Sequence, residues 1–450
     1  MTMETKVILG KMALCLLGSC ASFVAIKSPL SQRLDDRQFG RAAFALLVAS
    51  RLVLFAVLFL LLGMTPQSDV EIYYISALNI LDGFMPVHDF PNVYGPLFPY
   101  IVIVPVVIWE SPKSVILLSF LFEFASLPLW LSVARQVVSE SAARTATLLY
   151  ILCPFALVII PLAGQNQVWL SFFLALTLWF MLRHREGLAG TALGLGIVAV
   201  KWLSLLHLPA LWLGARRRMA LVIPIIILPA VVYTAAVYQI HAFTKPVNGT
   251  RPALGQAATE LLNANLQFHA DDRSSGNLPF LLSITGLDIE TTLAKQIFNI
   301  AALAILAAAS LIPAVRYRKL APQSVLAMLT MLTLLLLIVS KKAFTSYLVM
   351  ALFPLCIILA TRTISTRGLL LFLGFLTVAS IEPTLWMRWI DRDHPDFSVL
   401  WNQFRPQSTQ LGLLFVFLVV ELLLLAGYAY YAILMWRHIV QTEARTTPAA

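Results

Sequence analysis

Charge is what this sequence has least of. Only 12% of its residues are Asp, Glu, Lys or Arg, 60% are hydrophobic, and the mean hydropathy is +0.84; a soluble domain carries about 25% charged and roughly 45–50% apolar residues. That balance excludes a soluble enzyme and points to a polytopic membrane protein. Cysteine is scarce as well. Cys15, Cys20, Cys153 and Cys356 all lie inside apolar runs without ligand spacing, which excludes a zinc site or a disulfide framework and predicts buried thiols. Linkers and internal repeats are missing, so no separate soluble domain is expected. The net charge of +10 does not describe a nucleic-acid-binding face. The basic residues fall in short clusters between apolar runs, Arg183 to Arg185, Arg216 to Arg218 and Arg316 to Lys319, the pattern of cytoplasmic loops.

What is present is apolar runs of spanning length. They predict an all-α fold, a polytopic membrane helical bundle forming a single integral membrane domain over residues 1–450, with about 10–13 transmembrane or re-entrant helices and short interfacial helices in its outer loops. Residues 6–26 form a first run that ends in a lipobox-like Leu17 to Cys20, read as an ordinary helix rather than a cleaved leader. The polar, basic stretch 27–41 lies inside, so the run 42–63 crosses outward and delivers Asp69 to the non-cytoplasmic face. Ile101 to Trp109, broken by Pro105, is too short to span and dips into the bilayer. The runs 114–134, 145–162 and 168–182 then alternate across it, leaving Gly164 to Gln167 outside.

Residues 188–214 begin and end at basic clusters, which requires two half-helices with Lys201 near their apex. A lysine at membrane depth costs about 2.5–3.5 kcal/mol on insertion scales and faces a partner or an aqueous cavity, unless it snorkels from a shorter helix. The run 220–240 leads out to a long polar loop with an interfacial helix near Leu278 to Leu287. The runs 297–315, 324–339, 346–361, 368–387 and 410–436 complete the set. Polar residues thereby collect on one face, in the loops 64–113, 241–296 and 388–408, with Lys341 and Lys342 there against the charge trend. A transporter would place them near the midplane; this skew favours an enzyme at the outer leaflet.

The stretch from Asp69 to Tyr100 reads as chemistry. Asp69 and Tyr73, four apart, share a face of an interfacial helix over Val70 to Leu81, while Glu71 points elsewhere. Asp69 at that helix's N-terminus is a candidate general base, held ionised by the helix dipole, or simply an N-cap. His88 and Asp89 contact sugar hydroxyls or shape the turn after Pro86. His269, Asp271 and Asp272 are read as loop polarity rather than a metal site.

The order of these features resembles the polytopic glycosyltransferases of the C superfamily, most of all the mannosyltransferase-like members that use polyprenyl-phosphate sugars. The resemblance rests on an acidic residue just after an early span, a Y-x-x-A-x-x-I-L-x-G run from Tyr74 to Gly83, and a Y-G-P-L-F-P turn at Tyr94 to Pro99. Further matches are Gly164-Gln165, a G-x-x-x-x-x-K-x-x-x-L-x-x-L-P-like run through Lys201 to Pro209, and a basic-aromatic segment with Tyr347 and Pro354. It covers most of residues 42–360. The chain departs from it in its extra helix at 6–26 and in having Asp69-Val70-Glu71 where an Asp-Asp or Asp-x-Asp pair is usual in the first outer loop, so no metal is expected.

The resemblance implies a membrane glycosyltransferase that moves mannose, or a related hexose or pentose, from a polyprenyl-phosphate donor to a lipid- or glycan-linked acceptor. It would invert, with Asp69 as base and no cofactor beyond the lipid-phosphate sugar as co-substrate. Substrate contacts are expected from Glu71, Tyr73, His88, Asp89, Tyr94, Gln165, Lys201, Lys341, Lys342 and Tyr347. Lys341 and Lys342 serve the leaving phosphate or anchor to lipid headgroups. A bacterial inner or plasma membrane is expected, with the site on its periplasmic or extracellular side; the partners are donor, acceptor and membrane lipids, not nucleic acid. The rival readings are a transporter or flippase of lipid-linked sugars, a non-catalytic assembly subunit, and a glycan polymerase or ligase.

Overall fold

The computed structural model describes residues 3–28, 30–66, 68–243, 252–266, 277–284, 292–341, 343–362, 365–389 and 408–446. They are 84% helical, and no strand occurs among them. Eight helices are long and apolar enough to cross a membrane, nine if one bent pair counts as a span, and shorter apolar helices of 10–17 residues accompany them. The expected polytopic bundle is therefore what the chain forms. The 388–408 loop, His269 to Arg273 and Lys342 lie outside the described residues, save for the backbone at the ends of that loop.

The chain divides into two compact units, one of residues 34–143 and 159–269, the other of residues 1–33, 144–158 and 270–450. In the first, Asp36–Phe55 starts from a capping box, Asp35 accepting from the Gln38 amide while Gln38 bonds back to Asp35. It runs on as a six-residue π-helix, Ala56–Leu61, whose Phe59 carbonyl accepts from Lys113 Nζ at 2.9 Å. Val70–Leu81 and Phe98–Ile108 follow. The latter has 11 residues and an internal Pro105, about 16 Å at 1.5 Å per residue, too little to span. Pro112–Val137 is locked to Asp36–Phe55 by Arg51 and Glu123, both fully buried and paired through two bonds of 2.9 and 2.8 Å.

Gln167–Leu182, Glu186–Ala199 and Arg218–Phe243 complete the first unit's long helices. Gly190 sits so close to Leu221 that an added Cβ would lie 2.0 Å from its carbonyl oxygen, which is why these last two helices pack backbone to backbone. The 188–214 region is broken as expected. Glu186–Ala199 stops, Lys201 is extended at φ −159 and ψ 153, and a 3-10 turn over Trp202–His207 leads into Leu208–Gly214.

Two features of the chain were not anticipated. Residues 145–162 are not one helix: Glu140–Leu152 and Pro154–Ala163 meet at 47°, because Pro154 has no N–H to carry the ladder across the junction. The 241–296 loop holds a second helix besides Leu278–Ile284. Leu254–Leu266 buries Ala257 and Leu261 against Ile240, with Met85 and Val87 packed alongside. In the other unit, Met3–Lys27 packs on Thr366–Trp389, and Pro322–Val339 on Ser408–Thr446.

Candidate functional site

Asp69 is the N-cap residue of Val70–Leu81, but its side chain makes no cap hydrogen bond. The carboxylate is used elsewhere. Oδ2 lies 3.4 Å from the Tyr73 hydroxyl and 3.2 Å from the Tyr94 hydroxyl, and the two hydroxyls are 3.3 Å apart. The first contact follows from the i, i+4 spacing on one helix face. The second brings in the Tyr94 turn from further along the chain. These O···O distances exceed the range of about 2.5–3.0 Å usual for hydroxyl donors.

The tyrosines rest on an aromatic stack. Phe98 lies 4.3 Å from the Tyr94 ring and 4.9 Å from that of Tyr73, and Trp169 closes on Phe98 at 5.0 Å. Trp169 is fixed in turn by Nε1 donating to Ser119 Oγ at 3.2 Å. Lys201 joins from the helix break, its Nζ 4.6 Å from the centre of the Tyr94 ring, a cation–π contact. It is 9% exposed.

Backbone pairing holds the break against the turn. The Gly95 amide donates to the Val200 carbonyl at 2.8 Å and the Leu97 amide to the Val198 carbonyl at 3.0 Å. Glycine is required here: a Cβ on residue 95 would stand 2.3 Å from the Val198 oxygen. Gln165 completes the surround. Its Nε2 donates to Ser68 Oγ, and Ser68 occupies the left-handed region at φ 62 immediately before Asp69. Such a backbone costs about 1–3 kcal/mol in a non-glycine residue and persists where its surroundings enforce it. Gly164, at φ 52, lets the turn pass over Val70 and Ile116.

The structure thus gathers Asp69, Tyr73, Tyr94, Gln165 and Lys201 in one place and leaves others apart. Glu71 is exposed on its helix. Asp89 accepts from the Met85 amide at 2.6 Å, which fits the turn-shaping reading. His88 Nδ1 pairs with Glu260 Oε2 at 3.0 Å, tying the loop to Leu254–Leu266; Glu260 carried no sequence signal as a partner. Lys341 and Tyr347 belong to the other unit and are 3% and 4% exposed. A lysine so enclosed does not suit an anchor to lipid headgroups.

That second unit holds a polar cluster that sequence reasoning passed over. Lys11, Thr345, Glu382, Glu421 and Tyr428 are all buried, with Glu382 facing Lys11, Thr345 and Glu421. A lone glutamate within each of the last two apolar runs was the available signal. No group of three or more His, Cys, Asp or Glu side chains suited to a metal ion converges among the described residues.

No protein family and no curated protein matches the sequence. Among solved structures, the crystal structure of ArnT from Cupriavidus metallidurans bound to undecaprenyl phosphate is similar, at a TM-score of 0.51 and 17% identity, over 87% of this chain and 75% of that one. At this level of identity the likeness is one of fold.

Proposed function

We propose that the chain is a membrane glycosyltransferase that transfers a sugar from a polyprenyl-phosphate donor to a lipid- or glycan-linked acceptor at the non-cytoplasmic face, with inversion. The observation that carries this reading is the Asp69 carboxylate, released from capping and held by two phenols beside Lys201. The ordered motifs that resemble the C superfamily supply these same residues. The fold shared with a protein that binds undecaprenyl phosphate agrees with a lipid phosphate as co-substrate.

In this reaction the acceptor hydroxyl attacks the anomeric carbon and gives its proton to Asp69. The bond from the anomeric carbon to the phosphate oxygen breaks with its electron pair, and the lipid phosphate departs as an anion. It needs cations more than a general acid. Lys201, buried against the Tyr94 ring, is the first candidate, and Lys341 and Lys342 are proposed as a second supply. The chemistry as written uses no metal. Mannose is the sugar suggested by the motifs, other hexoses and pentoses being close alternatives.

Nanodiscs carrying the full chain, incubated with polyprenyl-phosphate mannose, other hexoses and pentoses and analysed by mass spectrometry of the lipid products, test the reading. Wild type should form a glycosylated product, and Asp69→Asn should lose about 10²- to 10⁴-fold in rate, the usual contribution of a general base, while remaining in the membrane. Equal transfer by the variant removes Asp69 from its role. Movement of intact donor across the bilayer without transfer would favour a flippase.

A further inference from the structure

Tyr73 and Tyr94 are 1% and 6% exposed, their rings are 5.1 Å apart, and both stack on Phe98. So enclosed, they offer little surface to a sugar. Yet both hydroxyls converge on one atom, Oδ2 of Asp69. We propose that the two tyrosines are positioning residues that occupy Oδ2 of Asp69 and leave Oδ1 as the atom that takes the acceptor's proton. This inference rests on the transferase reading above and assigns its atoms.

Two phenolic protons serve three oxygen contacts. If both point at Asp69, Oδ2 accepts twice; if one lies between the phenols, Oδ2 still accepts once. In either arrangement the carboxylate is fixed against rotation about Cβ–Cγ. No described residue donates to Oδ1, and Asp69 is only partly buried. Oδ1 is therefore the oxygen with both lone pairs open and a fixed direction. When the acceptor reacts, its proton passes to Oδ1, the O–H electron pair forms the new bond to the anomeric carbon, and the bond to the lipid phosphate breaks toward the phosphate. Holding a base at one angle matters because small misplacements of reacting groups cost rate rather than binding.

Tyr73→Phe, Tyr94→Phe and the double variant, each full length in nanodiscs, test this. Phenylalanine keeps both rings, and with them the stack and a ring face beneath Lys201, and deletes only the hydroxyls. Each single variant should lower kcat about tenfold and the double variant about 10²-fold, with KM for donor and acceptor unchanged. Wild-type kcat in the double variant, or a loss that appears in KM alone, overturns the proposal. A readout independent of turnover separates its failure from that of the transferase reading. Carbodiimide coupling of an amine to Asp69, followed by mass spectrometry, should run several-fold faster in the double variant, where the carboxylate has lost both hydrogen-bond donors and is the stronger nucleophile. An unchanged coupling rate overturns the proposal even if wild type transfers no sugar.

Discussion

Gly95 shows how little room the candidate site has for error at the scale of one residue. Alanine there would place its Cβ 2.3 Å from the Val198 oxygen and 2.6 Å from that of Ile197, both backbone atoms that cannot swing away. Gly95→Ala should therefore separate Tyr94 from Lys201, costing about 1–3 kcal/mol of stability as an overpacked contact and most of the activity; the midpoint of thermal unfolding and the transfer rate check it together. An unchanged midpoint would mean that the turn shifts freely. Legibility at this scale depended on sequence distance. Asp69 and Tyr73 can be paired from their spacing alone. Lys201 could be singled out by its depth in the bilayer and Tyr94 and Gln165 as motif members, but their meeting could not be foreseen, because nothing in a linear pattern says that a turn after one helix meets the break in another. His88 with Glu260 was invisible for the same reason: it is a contact between distant segments with no local signature.

Helices were read more easily, since apolar runs and basic ends are local. The break at Lys201 followed from charge bookkeeping on the flanking loops, and the short Phe98–Ile108 helix from its length and Pro105. The bend at Pro154 was missed because the apolar run continues through it, and Leu254–Leu266 because its buried side is only a narrow stripe within a polar loop. The pairing of Asp36–Phe55 with Pro112–Val137 makes a prediction of its own. Arg51 and Glu123 have no solvent exposure, so removing Glu123 takes the carboxylate counter-charge away from a buried guanidinium. Glu123→Ala should destabilise the protein by about 3–5 kcal/mol, while Arg51→Met combined with Glu123→Leu should recover most of that loss. Thermal unfolding of the three proteins in the same nanodiscs decides the matter, and a double variant no better than the single one would contradict it.

Over the larger body, the unit that holds Asp69 has two unlike ends. Helix Gln167–Leu182 starts at the candidate site and finishes at Arg183, Glu186–Ala199 returns from Arg185 to the site, and Arg135 bonds to the start of Asp36–Phe55 at 3.0 Å. Arg135, Arg183 and Arg185 thus lie at the ends of these helices away from Asp69, the arrangement that the positive-inside rule gives to the proposed outward-facing site. In a background without the four native cysteines, Asp82→Cys should react with an impermeant thiol reagent added outside, and Ser139→Cys only after the membrane is opened. Both residues are exposed. Labelling of both from one side would break the proposed orientation. The seam between residue 95 and residues 198–200 also bears on how the protein is made. Asp69, Tyr73 and Tyr94 leave the ribosome well before Lys201, and the amides of Gly95 and Leu97 find their acceptors only once the Glu186–Ala199 helix has been inserted. A nascent chain that halts before Val200 therefore carries Asp69, the proposed base, without Lys201, so translation itself withholds the finished candidate site until that helix is in place.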